Sequence, residues 1–437
     1  MVSNVRNIFF AFITITMLTE GESQLGFNLT FLQQVFLDYI FPKDPGIVRV
    51  RSMDQARGMG GAIVLDFIGM VEQYGYPAEE HNVTTEDGYH LQIHRIPGSP
   101  LWGNKKKKDV VFLQHGVFAS SDSWVIFGPG KDLAFLLADQ GYDVWLGNIR
   151  GNSYGRSHVN MTVYDRKFWQ FSFHEVALMD LPVMFDYILN YTGQEKIHYV
   201  AHSMGSTMLF VLLSMKPEYN AKIQLGVCLA PVAFWKEVMP IFRQIIDAAP
   251  VLREFFARHK IYDFATQSAA MVTIGQNLCQ DGAATQPICI AVIFIIVGAD
   301  PPQLNTTALP YLLSHFPAGS SIQTLYHYYQ NIHAKNFQSY DYGPVGNYEH
   351  YKQKTPITYD LSKVTVPIAL FYSSNDLVVR KTNVLELQKH LPNVALLEEV
   401  QYELFNHADF LWGIDAKTLI YDRVIEVIQK YSILNAI

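Results

Sequence analysis

The stretch Val200-Ala201-His202-Ser203-Met204-Gly205 joins the end of an apolar strand to the start of an apolar helix. Lys196 to Val200 predicts the strand, and Ser206 to Met215 predicts the helix. A serine hydroxyl is a weak nucleophile until a base takes its proton, and a sharp strand-to-helix turn lifts it off the sheet towards such a base. The residues two before and two after the serine are small, as a crowded turn requires. The stretch therefore predicts a nucleophile at Ser203.

A second apolar run, Val110 to Leu113, predicts a strand that ends in the turn Gln114-His115-Gly116-Val117. In hydrolases with this strand and turn arrangement, such a turn supplies one backbone N–H to the oxyanion, and the residue after the nucleophile supplies the other. The expected donors are therefore the main chains of Val117 and Met204. Taken alone, His115-Gly116 is also consistent with a simple turn.

An acid and a base are expected after the serine, in that order. Pro367 to Tyr372 predicts a buried strand, and the polar turn behind it places Asp376 at the strand's carboxyl end. His407 is the candidate base because of its position in this order. Glu403 and Asp409 compete with Asp376 for the acid role, but both lie within a few residues of His407, where such groups more often shape a loop.

Several longer segments resemble the gastric and lysosomal acid lipase family, in the family's order, from about residue 70 to the C-terminus. They are Tyr74 to Pro77 with Glu79 and Glu80, Thr85 to Tyr89, Leu113 to Gly116, Gly141 to Asn148, Arg150 to Asn152, His198 to Ser203 and Asn406 to Phe410. The resemblance implies an α/β-hydrolase fold, in which helices flank a mostly parallel central sheet and a mainly helical cap with a lid is inserted.

The same resemblance implies the roles of the residues singled out above. Ser203, Asp376 and His407 fall on the family's nucleophile, acid and base. Val117 and Met204 fall on its two oxyanion donors.

Two residues depart from the family's pattern. The family usually has glycine where Ala201 stands and glutamine where Met204 stands. Alanine adds one methyl group at a crowded turn, and methionine still offers its backbone N–H, so we expect catalysis to survive both. Rate and substrate preference are the properties that these departures affect.

The resemblance further implies a disulfide between Cys279 and Cys289, since the family has one in this region. The third cysteine, Cys228, lies in the apolar stretch Gln224 to Leu229, where a buried thiol behaves as a small hydrophobe.

Composition limits the classes of function. The 437 residues are 49% hydrophobic, enough for a large core, and the net charge of −7 argues against nucleic acid as a partner. The basic run Lys105 to Lys108 is expected in a solvated loop. Neither an HExxH pair nor a CxxC pair occurs, so we expect no metal site, and the proposed chemistry requires no cofactor.

The chain divides into a signal, a leader, a core and a cap. Residues 1–22 predict a secretory signal peptide, because Ile8 to Leu18 is apolar but too short for a stable membrane anchor. Residues 23–70 predict a leader or pro-segment outside the catalytic core. Residues 71–233 and 362–437 predict the hydrolase core, and residues 234–361 predict the cap.

Within the cap, residues 261–297 are the expected lid. The run Ile288 to Val297 is too short to span a bilayer and favours a buried or interfacial helix. We expect part of the lid to move about Gly275, Gly282 and Gly298 and to meet lipid through its apolar underside. A static helical subdomain is the alternative.

The signal predicts a secreted or lysosomal protein. Export agrees with a set of Asn-X-Ser/Thr sequons, which permit glycosylation: Asn28, Asn82, Asn160, Asn190 and Asn305.

Two classes of function follow. The favoured one is a serine lipase acting on neutral lipid esters at a lipid–water interface, with triacylglycerol first and cholesteryl ester second. The alternative is a catalytically silent lipid carrier with the same fold, because fold alone does not determine function. The intact order of serine, acid and histidine, with both oxyanion turns, favours the enzyme. No feature of the sequence decides the oligomeric state.

Overall fold

The computed structural model describes residues 37–42, 44–101 and 109–434. The predicted signal peptide at residues 1–22, the sequon at Asn28 and the basic run Lys105 to Lys108 lie outside these ranges.

Strands form at the three apolar runs predicted as strands and at further positions. In chain order they are β1 (Ile47–Val50), β2 (Ala62–Leu65), β3 (Glu79–Thr84), β4 (Tyr89–Ile96), β5 (Val110–Gln114), β6 (Asp143–Leu146), β7 (Ser157–His158), β8 (Ile197–His202), β9 (Ile223–Leu229), β10 (Asp263–Phe264), β11 (Ser320–Ser321), β12 (Ile368–Tyr372) and β13 (Val394–Glu399). Strands β5, β8 and β12 are buried at every residue, as expected of strands covered on both faces.

The central sheet has the strand order β13-β12-β9-β8-β5-β6-β4-β3, and β7 pairs with the edge of β4. From β13 to β6 every neighbouring pair is parallel, whereas β4 pairs antiparallel with β6, β3 and β7. The expected mostly parallel sheet is confirmed. Because the carboxyl ends of parallel strands lie at one edge, the loops after β5, β8 and β12 meet there.

The helices cover both faces of the sheet and build an insertion between β9 and β12. They are α1 (Phe67–Glu72), α2 (Leu133–Asp139), α3 (Leu181–Thr192), α4 (Met204–Met215), α5 (Pro240–Asp247), α6 (Ala249–Arg258), α7 (Ala269–Leu278), α8 (Gln286–Val297), α9 (Leu309–His315), α10 (Ile322–Ala334), α11 (Gly343–Tyr351), α12 (Lys381–His390), α13 (Asp409–Trp412) and α14 (Asp422–Leu434).

The insertion lies within the predicted cap and consists mainly of the helices α5 to α11. Its helices α6 and α8 have no buried residue, although α8 consists almost entirely of apolar residues. Cys279 at the end of α7 forms a disulfide with Cys289 in α8, and Cys228 is a buried free thiol in β9. None of the helices in the described ranges has the length and hydropathy needed to cross a membrane.

Residues 44–70, part of the predicted leader, pack against both core and cap. Strand β1 pairs with β2, and the Arg49 guanidinium forms a salt bridge of 3.2 Å with the buried carboxylate of Asp122. The amide of Ala269 in α7 donates a hydrogen bond to the Pro45 carbonyl, 2.7 Å away. The segment is thus joined to the core through contacts between residues far apart in sequence. Its removal during maturation stays a prediction.

Candidate active site

Ser203 lies in a strained turn between β8 and α4. Its backbone has φ 54° and ψ −120°, outside the regions that a serine prefers. The turn leaves no room for a side chain at Gly205, where a Cβ would lie 2.7 Å from the Gln114 carbonyl oxygen and 3.1 Å from the Ala201 methyl. Ala201 therefore fits because its neighbour across the turn is glycine.

The structure brings Ser203, His407 and Asp376 together from three loops at the carboxyl edge of the sheet. The Nε2 of His407 lies 3.1 Å from the Oγ of Ser203, and its Nδ1 lies 2.7 Å from the Oδ2 of Asp376. Because an ionised carboxylate only accepts, Nδ1 carries the hydrogen and Nε2 is free to accept the serine proton. This arrangement activates a serine for nucleophilic attack.

Asp376 is held in place through its second carboxylate oxygen. Its Oδ1 accepts hydrogen bonds from the amides of Val378 and Val379, at 2.8 and 2.7 Å. Of the competing acids, Glu403 is exposed, and the Oδ2 of Asp409 accepts from the Asn406 amide at 2.7 Å. Among the three acids, Asp376 is the one bonded to the His407 ring.

The turn after β5 lies against Ser203. A Cβ on Gly116 would lie 3.0 Å from the Cβ of Ser203, so only glycine allows this approach without a shift. Within the described part of the chain, the amides of Val117 and Met204 donate to no protein group, and Met204 is the first residue of α4. Both N–H groups are therefore available to a ligand beside Ser203.

Two histidines next to the site are held neutral. Burial lowers the pKa of His115 to about 4, and its Nδ1 donates to the Gly116 carbonyl while its Nε2 accepts from Asn152. Burial, and then the charge of His407, lower the pKa of His202 well below its usual value. The Nε2 of His202 donates to the His407 carbonyl at 3.0 Å. These hydrogen bonds hold the turn after β5 and the loop of His407 in place without adding charge.

A cavity of about 850 Å³ opens at Ser203 and is lined almost entirely by apolar side chains from the cap and the core. Phe242 of α5, Phe294 of α8 and Leu312 of α9 belong to its wall. Leu37 and Phe41, which precede β1, also line it. A cavity of this size and polarity accommodates a long acyl chain.

Other predicted residues lie at different places in the structure. Asn82, Asn160 and Asn190 are exposed, whereas Asn305 is half-buried and lines the cavity, so it is the least accessible of these sequons. In the described ranges, no group of three or more His, Cys, Asp and Glu side chains is arranged to hold a metal ion.

The sequence did not reveal the contact between the end of α8 and the loops of Asp376 and His407. The Val297 carbonyl accepts from the amides of His407 and Leu377, at 3.3 and 3.4 Å, and the Gly298 carbonyl accepts from the Asn406 side chain at 3.0 Å. Asn406 next to the predicted base was the available signal, but its partner lies 108 residues away.

Comparison with known families identifies the same fold. A family model described as "Partial alpha/beta-hydrolase lipase region" matches residues 67–128, and one described as "alpha/beta hydrolase fold" matches residues 109–414. A solved structure of a putative lipase from Sulfolobus solfataricus covers 81% of this chain and 94% of its own at a TM-score of 0.53 and 13% identity, a likeness of fold alone.

Similar curated proteins are lipases. Human "Gastric triacylglycerol lipase" is 38% identical over 373 residues, which cover 84% of this chain and 92% of that protein. "Lipase 1" of Drosophila melanogaster is 38% identical over 370 residues, 83% of this chain and 79% of its own. Human "Lysosomal acid lipase/cholesteryl ester hydrolase" is 35% identical over 368 residues, 83% of this chain and 90% of that protein.

Proposed function

Because this chain belongs to the α/β-hydrolase lipase family of the gastric and lysosomal acid lipases, we propose that it is a serine lipase of neutral lipid esters. Family membership makes the chain a carboxylic ester hydrolase. The proposal concerns the residues that act and the esters that react. The observation that supports it is the hydrogen-bonded series Ser203, His407 and Asp376 at the mouth of an apolar cavity.

The reaction proceeds in two steps of acyl transfer. The Oγ of Ser203 attacks the ester carbonyl while the Nε2 of His407 takes its proton and then passes it to the departing alcohol. Water next attacks the acyl-enzyme, with His407 as base, and releases the fatty acid. Asp376 holds the imidazole in the required tautomer and stabilises its charged form.

The amides of Val117 and Met204 hold the oxyanion in both steps. Such donors act in a site from which water is excluded, and removing one typically costs about a hundred- to a thousandfold in kcat. Since the donors are backbone groups, methionine in place of the family's usual glutamine leaves this function intact. The changed side chain acts on substrate preference instead.

Triacylglycerol is the first substrate class that we propose and cholesteryl ester the second. The relatives' printed names include a triacylglycerol lipase and a cholesteryl ester hydrolase. Among the described residues, the cavity walls offer apolar surface to an acyl chain and no cluster of cations to a phosphate headgroup. Such substrates are reached at a lipid–water interface. We propose that the protein is secreted or lysosomal.

The experiment compares the wild type with Ser203→Ala on triolein, cholesteryl oleate, phosphatidylcholine and a soluble p-nitrophenyl ester. Ser206→Ala is the matched control, because Ser206 is a buried serine one turn further along α4. We expect Ser203→Ala to abolish hydrolysis with folding intact, and the control to retain near wild-type rates. Wild-type hydrolysis by Ser203→Ala would refute the proposal, and binding of lipid without any hydrolysis by the wild type would favour a carrier.

A further inference from the structure

The segment that follows α8 lies between the two catalytic loops. The Val297 carbonyl accepts from amides of both loops, and the Ala299 carbonyl accepts from the Asn375 side chain at 3.0 Å. A Cβ on Gly298 would lie 2.2 Å from the Asn375 carbonyl oxygen, so this residue approaches the acid loop as closely as glycine allows. The end of the cap helix is therefore part of the support for Asp376 and His407.

Asp300 ends this segment, and its buried carboxyl faces the carboxyl of Asp409, two residues after His407. The Oδ1 of Asp300 accepts from the Tyr402 hydroxyl at 3.2 Å. Its Oδ2 is buried and accepts from no N–H or hydroxyl group in the described residues. A protonated carboxyl facing this oxygen would donate to it and satisfy it.

We propose that Asp300 and Asp409 share one proton and that this carboxyl pair is a positioning device, which fastens the end of α8 to the loop of His407. The inference rests on the proposed function, since His407 is the base that the pair positions. Among the described residues, Asp300 and Asp409 have no hydrogen bond to Ser203 or to the His407 ring. They act through the backbone that holds the ring.

The surroundings of the pair favour one proton. Asp376 acts on Asp409, Tyr402 lies near both carboxyls, and Tyr421 lies near Asp409. One step further away, Asp415 acts on Tyr402, and His407 is bonded to Asp376. Burial, opposed by the Asn406 amide and reinforced by the charges of Asp300 and Asp376, raises the pKa of Asp409 to about 8. Burial likewise raises the pKa of Asp300. Two carboxylates at hydrogen-bond distance repel each other, so a second ionisation is resisted.

The sign of the pH effect follows directly. An acid whose pKa is raised on folding stabilises the folded state at low pH and loses that contribution as pH rises towards the raised value. Above about pH 8 both carboxyls are charged, and their repulsion pushes the end of α8 away from the catalytic loops. The His407 amide then loses the Val297 carbonyl, and ester hydrolysis declines.

The test is the pH profile of kcat/KM on a soluble ester, for the wild type and for Asp300→Asn. An asparagine amide donates permanently to the Asp409 carboxylate and replaces the shared proton. We expect the wild type to lose about tenfold by pH 9, and the alkaline limb of Asp300→Asn to lie at least about one pH unit higher. Asp409→Asn is the mirror variant and should shift the limb in the same direction. Identical alkaline limbs in the wild type and both variants would overturn the proposal.

A second readout does not depend on catalysis. In the Ser203→Ala background, amide hydrogen exchange is followed in peptides covering residues 294–300 and 405–411 between pH 7 and 9. After correction for intrinsic exchange, the opening of these two segments should increase with pH when Asp300 is present. It should stay constant when Asp300→Asn is added. Equal behaviour of the two would refute the pair's role. An increase confined to the Asp300 protein would support the pair even if Ser203 proved not to be the nucleophile.

Discussion

Two apolar helices, α4 and α8, each have 12 residues, but only one of them is buried. In α4 every residue from Met204 to Ser214 is buried between the sheet and its neighbours. In α8 no residue is buried, although it is the more apolar of the two, and Ile288 and Val292 are 59% and 42% exposed. A helix that is apolar all round is normally buried in a core or in lipid.

This difference in burial indicates different functions for the core helix α4 and the cap helix α8. Helix α4 follows the proposed nucleophile, and its close packing keeps the turn at Ser203 in a strained conformation. Helix α8 presents one apolar side to the cavity, through Ile293 and Phe294, and another to the surface. We propose that α8 belongs to a lid whose exposed apolar surface is matched to a lipid interface.

Gly205→Val, at the start of α4, is expected to give the largest effect. The added side chain overlaps with the Gln114 carbonyl and displaces the oxyanion turn from Ser203, so kcat/KM should fall roughly a thousandfold. The matched substitution is Ala291→Val, which enlarges the side chain at a half-buried position of α8. Similar losses in the two variants would break the contrast between the helices.

Leu209→Ala tests the packing of α4. Leu209 is fully buried and packs on β9, where a Cβ on Gly226 would lie 3.0 Å from its side chain. We expect urea unfolding to show a loss of about 3 kcal/mol, the transfer and cavity cost of a buried leucine. The control Ile288→Ala, at an exposed position of α8, should change the free energy of unfolding by less than about 0.5 kcal/mol. A comparable loss in the control would mean that α8 is a core helix.

Cys279→Ser removes the disulfide that links the end of α7 to α8. Closing a loop of this length is worth about 2.7 kcal/mol, because it restricts the unfolded chain. We expect faster proteolysis within the cap, while hydrolysis of a soluble ester stays close to wild type. Loss of soluble-ester hydrolysis at unchanged cap proteolysis would show that the bond supports the catalytic loops instead.

Val292→Asp is expected to have the smallest effect on free energy. Because Val292 is already exposed, stability should change little, whereas binding to an emulsion loses about 1 kcal/mol, or roughly fivefold in KM. The measurement compares triolein emulsion with a soluble ester for the variant and the wild type. Equal effects on the two substrates, or no effect on either, would remove α8 from the lipid-facing surface.

Much of the catalytic geometry is predictable from sequence because each group follows a strand. The strands β5, β8 and β12 appear within two residues of the predicted apolar runs, and parallel pairing brings their ends together. The prediction of His407 as the base depended on its place in the chain order and on the family resemblance. Its choice of Asp376 over Asp409 is visible in the 2.7 Å hydrogen bond, whereas sequence distance alone left the choice open.

The remaining features depend on contacts between distant segments. Asp300, in the insertion, faces Asp409 in the loop of His407, and no local pattern indicates that two carboxyls meet. Arg49 binds Asp122, 73 residues away, which joins the predicted leader to the core. Of the proposed hinges, Gly275 would place a Cβ 2.8 Å from Leu313, a contact between packed helices that the sequence does not reveal.

The most direct measurement is covalent labelling with an alkyl phosphonate ester, which forms a stable adduct with an activated serine. We expect one adduct per chain, located on Ser203 by peptide mass spectrometry, with loss of hydrolysis in proportion to labelling. We also expect no adduct with His407→Ala, because the hydroxyl then lacks its base. An adduct on another residue, or full hydrolysis by a chain labelled at Ser203, would contradict the account.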